Sequence, residues 1–357
     1  GQPFTSDVMH YSRLGMNGPE DLFAALAMDE AGVEAFARGA PLSTDNNNLM
    51  ATDSSSRADG LLLGELSELF EPHDPLLQPD SWVHTRFANT IDYGYIARRI
   101  LYLGQPARAE RFAQAAPSAS QRAEIAGLVY RASGQAARAA QAFRSAIMAD
   151  PDNMQARYFL VRDQLGAAGR GEAPEAIQAA ADDLTGPARA VMEGWRFGLA
   201  GDWAALAELD AELGRSRITD AWYPDAARLR AEWRTNVAVE PERYAFDALR
   251  MVDRALLLAP DRNLYLLRVV SSVEIGDDDR VLESSRYIMA LIGQRLGQAQ
   301  AAGFRLSIQE LARMRQNLAA IAERLRSGLQ VGDPPRVRRV LADVNELIDG
   351  YPSTPAD

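Results

Sequence analysis

Few side chains in this chain can do chemistry. Its 357 residues include no cysteine and no lysine, and three histidines; all 38 basic residues are therefore arginine. Without cysteine there is no disulfide, thiolate nucleophile or cysteine-ligated zinc. Without lysine there is no Schiff base, phosphate-loop lysine or lysine general base. His10, His73 and His84 are far apart and lack the spacing of a zinc-binding helix, so each reads as a surface or loop residue. Asp45-Asn46-Asn47-Asn48 with Asp53 offers calcium-type oxygens. It lacks the turn glycine and closing glutamate that an EF-hand loop requires. Asp277-Asp278-Asp279 reads as a solvated turn and helix start, and Glu172 with Glu175 as another helix start. No catalytic residue, metal or cofactor is expected.

Recognition is left. Arg98, Arg99, Arg131 and Arg157 lie in helical stretches. Their forks fit the carboxylates of an acidic peptide. The competing reading is solvation or pairing with nearby acids of the chain itself. The net charge of −11 and pI of about 5.0 argue against duplex nucleic acid or an anionic membrane as a general partner. No apolar run approaches the ~20 residues of a membrane span, and no signal-peptide pattern is present. The opening Gly1-Gln2-Pro3, without methionine, reads as a processed product or a fragment of a longer protein.

The elements that would carry these arginines are helices. Residues 1–56 begin with a turn at Asn17-Gly18 entering a helix near Pro19, with Leu22, Phe23, Leu26 and Ala27 as its apolar stripe. Val33, Phe36 and Ala37 mark a second short helix that stops before Gly39; a polar loop from Pro41 then leads into a short strand. Residues 57–85 hold a helix at 61–70 and a proline-rich acidic linker, EPHDPLLQPDS. Residues 86–292 read as about six helix pairs. Gly104 and Ala109 echo Gly134 and Ala139 in the first two. Tyr158–Leu165 with Ala176–Ala181, then Trp195, Phe197, Gly201 and Leu206, continue the series. Tyr223–Trp233 with Tyr244–Leu258, and Leu264–Ile275 with Val281–Ile292, complete it. Residues 293–357 leave the pattern: two amphipathic helices, one on Ile308, Leu311, Met314, Leu318, Ile321 and Leu325, cap the open end or, alternatively, form a homo-oligomer seam through 307–348.

In residues 120–153, Ala126-Gly127, Tyr130, Gly134, Ala139, Phe143, Ala146 and Pro151 fall at the positions of a tetratricopeptide repeat, a helix pair of about 34 residues. The chain resembles that family strongly there and less strongly over the rest of 87–292. The resemblance implies a mostly α fold, a right-handed α-solenoid of tetratricopeptide-like pairs. It also implies a groove that binds a protein or peptide, for which Gln121, Glu124, Leu128, Arg131 and Arg157 are the candidate residues. The lysine–asparagine clamp of the chaperone-tail-binding subgroup is absent.

A second resemblance is at the front, where GPEDLFAALAMDEAGVEAFARGAPLSTDNNNLMAT looks like the end of a bacterial spermidine synthase-like domain. Pro41, Leu42, Thr44 and Asp45 match its motif, with Ser43 in place of asparagine, Asn46 in place of the second aspartate and Asn48 where proline would stand. This resemblance implies a small α/β remnant of a Rossmann-like domain whose nucleotide loop and acidic catalytic motif would lie upstream. Asp45 is not assigned a catalytic role; Thr44 and Asp45 also read as a turn cap.

Three functions follow. The first is an interaction scaffold at the C-terminal end of a spermidine synthase-like protein. The second is part of an S-adenosyl-type aminopropyl- or methyltransferase. The third is a free-standing periplasmic or secreted adaptor with a private N-terminal cap. The first two place the chain in the bacterial cytoplasm or on the cytoplasmic face of a membrane.

Overall fold

The computed structural model describes residues 16, 18–26, 29–38, 71–78, 80–87, 90–167, 177, 179, 181–236, 241–259, 262–277, 279–281, 283, 284, 287 and 288. Their regular elements are all helical. The polar loop and strand expected after Pro41, the helix at 61–70, Glu172 with Glu175 and all of 293–357 lie outside the described residues, as does His10. The chain divides into two compact units, Gly1–Ala167 and Ala168–Asp357.

In the first unit, α1 (Pro19–Ala25), α2 (Glu30–Ala37) and α3 (Trp82–Phe87) precede the helix pairs. The pairs are α4 (Tyr93–Tyr102) with α5 (Pro106–Ala115), and α6 (Ala119–Ala132) with α7 (Ala136–Ala149), followed by α8 (Met154–Ala167). Each first helix starts on a side-chain cap. Asp92 accepts from the Tyr95 amide at 2.8 Å, Ser118 from Gln121 at 3.1 Å and Asn153 from Ala156 at 2.9 Å.

Each pair turns in the same way. Gly104 and Gly134 adopt positive φ, 74° and 72°, which side chains other than glycine rarely tolerate. The next amide reaches back across the turn, Gln105 to the Ile100 carbonyl and Gln135 to Tyr130. That is the Schellman bond, which satisfies carbonyls the ending helix leaves free. Five residues after each glycine comes a buried alanine of the second helix, Ala109 or Ala139.

Close approach also requires Gly127. A β-carbon there would lie 2.6 Å from the ring of Phe143, so the small residue of α6 is the seat for the aromatic of α7. Phe143 in turn stacks on Phe159 of α8, with centroids 5.5 Å apart. Tyr93 stacks on Phe112 in the preceding pair at the same separation.

The front of this unit is docked rather than loose. Arg108 of α5 donates to both carboxylate oxygens of Asp74 and to the Ala24 and Leu26 carbonyls at the end of α1. Arg99 of α4 pairs with Asp21 of α1 at 2.7 Å, and the Tyr95 hydroxyl donates to the same carboxylate at 2.8 Å. Asp21 and Asp74 are both buried. Part of the proline-rich linker is therefore core: Leu76 is fully buried.

His84 corrects the reading of the histidines as surface or loop residues. It is buried on α3, its Nε2 2.8 Å from the Leu76 carbonyl and its Nδ1 3.0 Å from the Tyr93 hydroxyl. A carbonyl only accepts, so Nε2 carries the proton and the ring is held between one partner in the linker and one at the start of α4. His73 is partly exposed in a short 3₁₀ turn, Glu71–His73.

In the second unit, α9 (Gly186–Ala200) is followed by α10 (Trp203–Glu208), α11 (Asp210–Leu213), α12 (Tyr223–Asn236), α13 (Pro241–Leu256) and α14 (Arg262–Glu274). The same turn recurs. Gly201 and Gly276 have φ of 69° and 71°; Asp202 bonds back to Phe197 and Asp277 to Ser272. Leu206 and Val281, again five residues on, are buried. Asp277 caps the turn that follows α14, accepting from the Arg280 amide, as expected for a helix start. The core between α12, α13 and α14 is built on small residues, Ala227, Ala231, Ala248 and Ala255, with Val252, Leu264 and Val269 filling between them.

Candidate functional site

The first helices α4, α6 and α8 share a polar cluster in the first unit. It is built from the caps upward, because each cap fixes the start of its helix and so the phase of the side chains beyond it. Asp92 uses one oxygen to cap α4, and its other oxygen accepts from Gln155 of α8 at 3.1 Å. Gln155 accepts in turn from Arg98 of α4 at 3.0 Å. Asn153, the cap of α8, donates to Glu124 of α6 at 2.9 Å and to Ser120 at 3.0 Å, and Ser120 donates to the Ala146 carbonyl. Three helices are thus tied by side chains rather than by apolar contact alone.

Glu124 is the unusual member. It is 5% exposed, and its Oε1 has no hydrogen-bond partner. That oxygen lies against Gly94, where a β-carbon would collide with it. Burial pushes the carboxyl up to about 7; the bond from Asn153 and the charge of Arg98 oppose the rise, and Asp92 adds to it. Near neutral pH this group is therefore partly protonated.

Beside the cluster, Arg131 of α6 donates from Nε to both oxygens of Asp163 on α8, at 2.9 and 3.1 Å, with its guanidinium 5.2 Å above the ring of Phe159. Of the groove residues chosen from sequence, the structure leaves Gln121, Arg131 and Arg157 partly exposed and buries Glu124 and Leu128. Gln121 completes a capping box with Ser118, and Arg157 donates to the Pro151 carbonyl. The arginine pairing is intramolecular at Arg99 and Arg131, as the competing reading had it. Sequence reasoning missed Asp92, Asn153 and Gln155. Asp92 and Asn153 carried a usable signal, since each stands where a helix cap is required after a turn.

The second unit holds a separate ionic cluster. Asp210 of α11 accepts from Arg230, Trp233 and Arg234 of α12, at 2.9, 3.0 and 2.6 Å for the best-placed donors. Burial pushes the Asp210 carboxyl up, but the bonds from Arg234, Arg230 and Trp233 outweigh this and hold it well below the usual carboxylate range. This arrangement pins a four-residue helix to its neighbour.

Among the described residues no group of three or more histidine or acidic side chains is placed to hold a metal, and no helix is long and apolar enough to cross a membrane. The front motif residues Pro41, Leu42, Thr44 and Asp45 lie outside the described residues. No family model and no curated protein matches the chain. A solved structure, the crystal structure of an APC/C hetero-tetramer Cut9-Hcn1, is similar over 84% of this chain at 13% identity and a TM-score of 0.40. The match spans 60% of that structure's chain.

Proposed function

We propose that this chain is a protein-interaction scaffold made of tetratricopeptide-like helix pairs, with its binding surface on the first helices α4, α6 and α8. One observation carries the reading. Three successive first helices are joined by a band of polar side chains bonded in separate groups, Arg98 with Gln155 between α4 and α8, and Asn153 with Glu124 and Arg131 with Asp163 between α6 and α8. Such a band keeps donors and acceptors in fixed positions, which lowers the ordering cost of binding a peptide. Arg131 in the band, with Gln121 and Arg157 nearby on α6 and α8, is partly exposed and suited to contact it, and arginine forks fit a carboxylate-bearing segment.

Peptide-library screening with the full chain tests this. Selected peptides should lose at least tenfold in affinity against Arg131→Ala or Arg157→Ala. A chain that captures no peptide or protein and does not self-associate is not a scaffold. Of the finer readings, a private N-terminal cap is favoured by the docking of α1 through Arg99 and Arg108. The spermidine synthase-like origin of that segment rests on its sequence motif alone, as does self-association through 307–348 on its periodicity.

A further inference from the structure

We propose that Glu124 is a proton-dependent latch between α4, α6 and α8, closed when its carboxyl is protonated and strained when it is ionised. The geometry is that of a carboxyl enclosed on three sides. From α4 it meets Asp92, a like charge, and Arg98, whose guanidinium is already shared between the Gln155 side chain and the Gly94 carbonyl. From α8 it meets Asn153, which donates to Oε2 and to Ser120. From its own helix it meets Ser120, whose hydroxyl proton is committed to the Ala146 carbonyl.

Oε1 is left with no donor, buried against the bare backbone of Gly94. An ionised carboxylate in that position keeps a charge with one of its two oxygens unsolvated, and a buried unpaired charge is costly. Protonation removes the charge and the repulsion from Asp92. Relief on ionisation comes by separating α4 from α6, which frees Oε1 from Gly94 and moves Asp92 away, and so alters the spacing of the first helices. The latch works on the fold itself, so it stands whether or not this face binds a peptide.

The sign follows from linkage. The folded carboxyl titrates at about 7, above its ordinary value of 4.5. Its contribution is therefore intact below the ordinary carboxyl range and is lost as pH rises through about 7. Across that window the folding equilibrium constant should fall by roughly two orders of magnitude from this group alone.

The experiment is urea unfolding of the full chain from pH 5 to 8, for wild type, Glu124→Gln and Asp92→Asn. Glutamine keeps the shape and cannot ionise, so its unfolding midpoint should lack the wild-type loss between pH 5 and 8. Asp92→Asn should keep the loss but move it to higher pH if the Asp92 cap and its bond to Gln155 matter more than its charge, and to lower pH if charge dominates; the latch as stated requires the second. Because Glu124→Gln could unfold the chain, amide hydrogen exchange of wild type gives an independent reading: amides in 93–98 and 154–159 should exchange faster at pH 8 than at pH 6, after correction for intrinsic rates. Equal pH dependence in wild type and Glu124→Gln, or exchange in both segments that follows intrinsic rates alone, overturns the proposal.

Discussion

The ring of Phe143 occupies the space that a side chain on Gly127 would fill, with the closest approach to an ideal β-carbon only 2.6 Å. That single pairing sets how near α7 lies to α6, and Phe143, wholly buried, passes the packing on to Phe159 of α8.

Gly127→Ala should therefore destabilise, although alanine favours helix by about 1 kcal/mol. Overpacking against a fixed ring costs about 1–3 kcal/mol, so a net loss of about 1 kcal/mol is expected in urea unfolding. Combining it with Phe143→Leu should cost less than the sum of the two single changes, because the leucine no longer fills the contested space.

Gly134 provides the contrast. Nothing lies within 4 Å of a β-carbon there, but its φ is 72°. Gly134→Ala should cost about 1–2 kcal/mol from backbone conformation alone, and asparagine less. A cost equal to that of Gly127→Ala that is relieved by Phe143→Leu would show that packing, not φ, is the cause.

Arg108 joins α1, the linker and α5 at once, with its side chain 12% exposed and that of Asp74 4% exposed. Breaking such a pair leaves a buried charge and costs about 3–5 kcal/mol. Arg108→Ala should also make residues 18–26 sensitive to proteolysis while α6 and α7 stay protected. Unchanged cleavage of that segment would mean the front is held by its apolar contacts.

Asp210 should respond to acid in the sense opposite to Glu124. Its carboxyl is held low by Arg234, Arg230 and Trp233 against the opposing effect of burial. Its contribution is thus present above the ordinary carboxylate range and lost as pH falls below it. Asp210→Asn should be less stable than wild type at pH 7, and the gap should narrow toward pH 2. A gap that stays constant would assign the loss to packing of α11.

Helix pairing was legible in the sequence because its causes are local. Gly134, Ala139, Phe143 and Pro151 stand at separations fixed by helix geometry, and the turn glycines act through their own backbone. Gly104, Gly201 and Gly276 repeat that turn, each followed five residues later by a buried side chain. The tertiary structure decided what depends on how separate elements dock. It placed His84 between Leu76 and Tyr93, buried Asp74 under Arg108, and enclosed Glu124 between α4 and α8. A polar side chain on a helix has the same local pattern whether water or another helix covers it. Its charge, partners and accessibility are set only when the neighbouring helices dock.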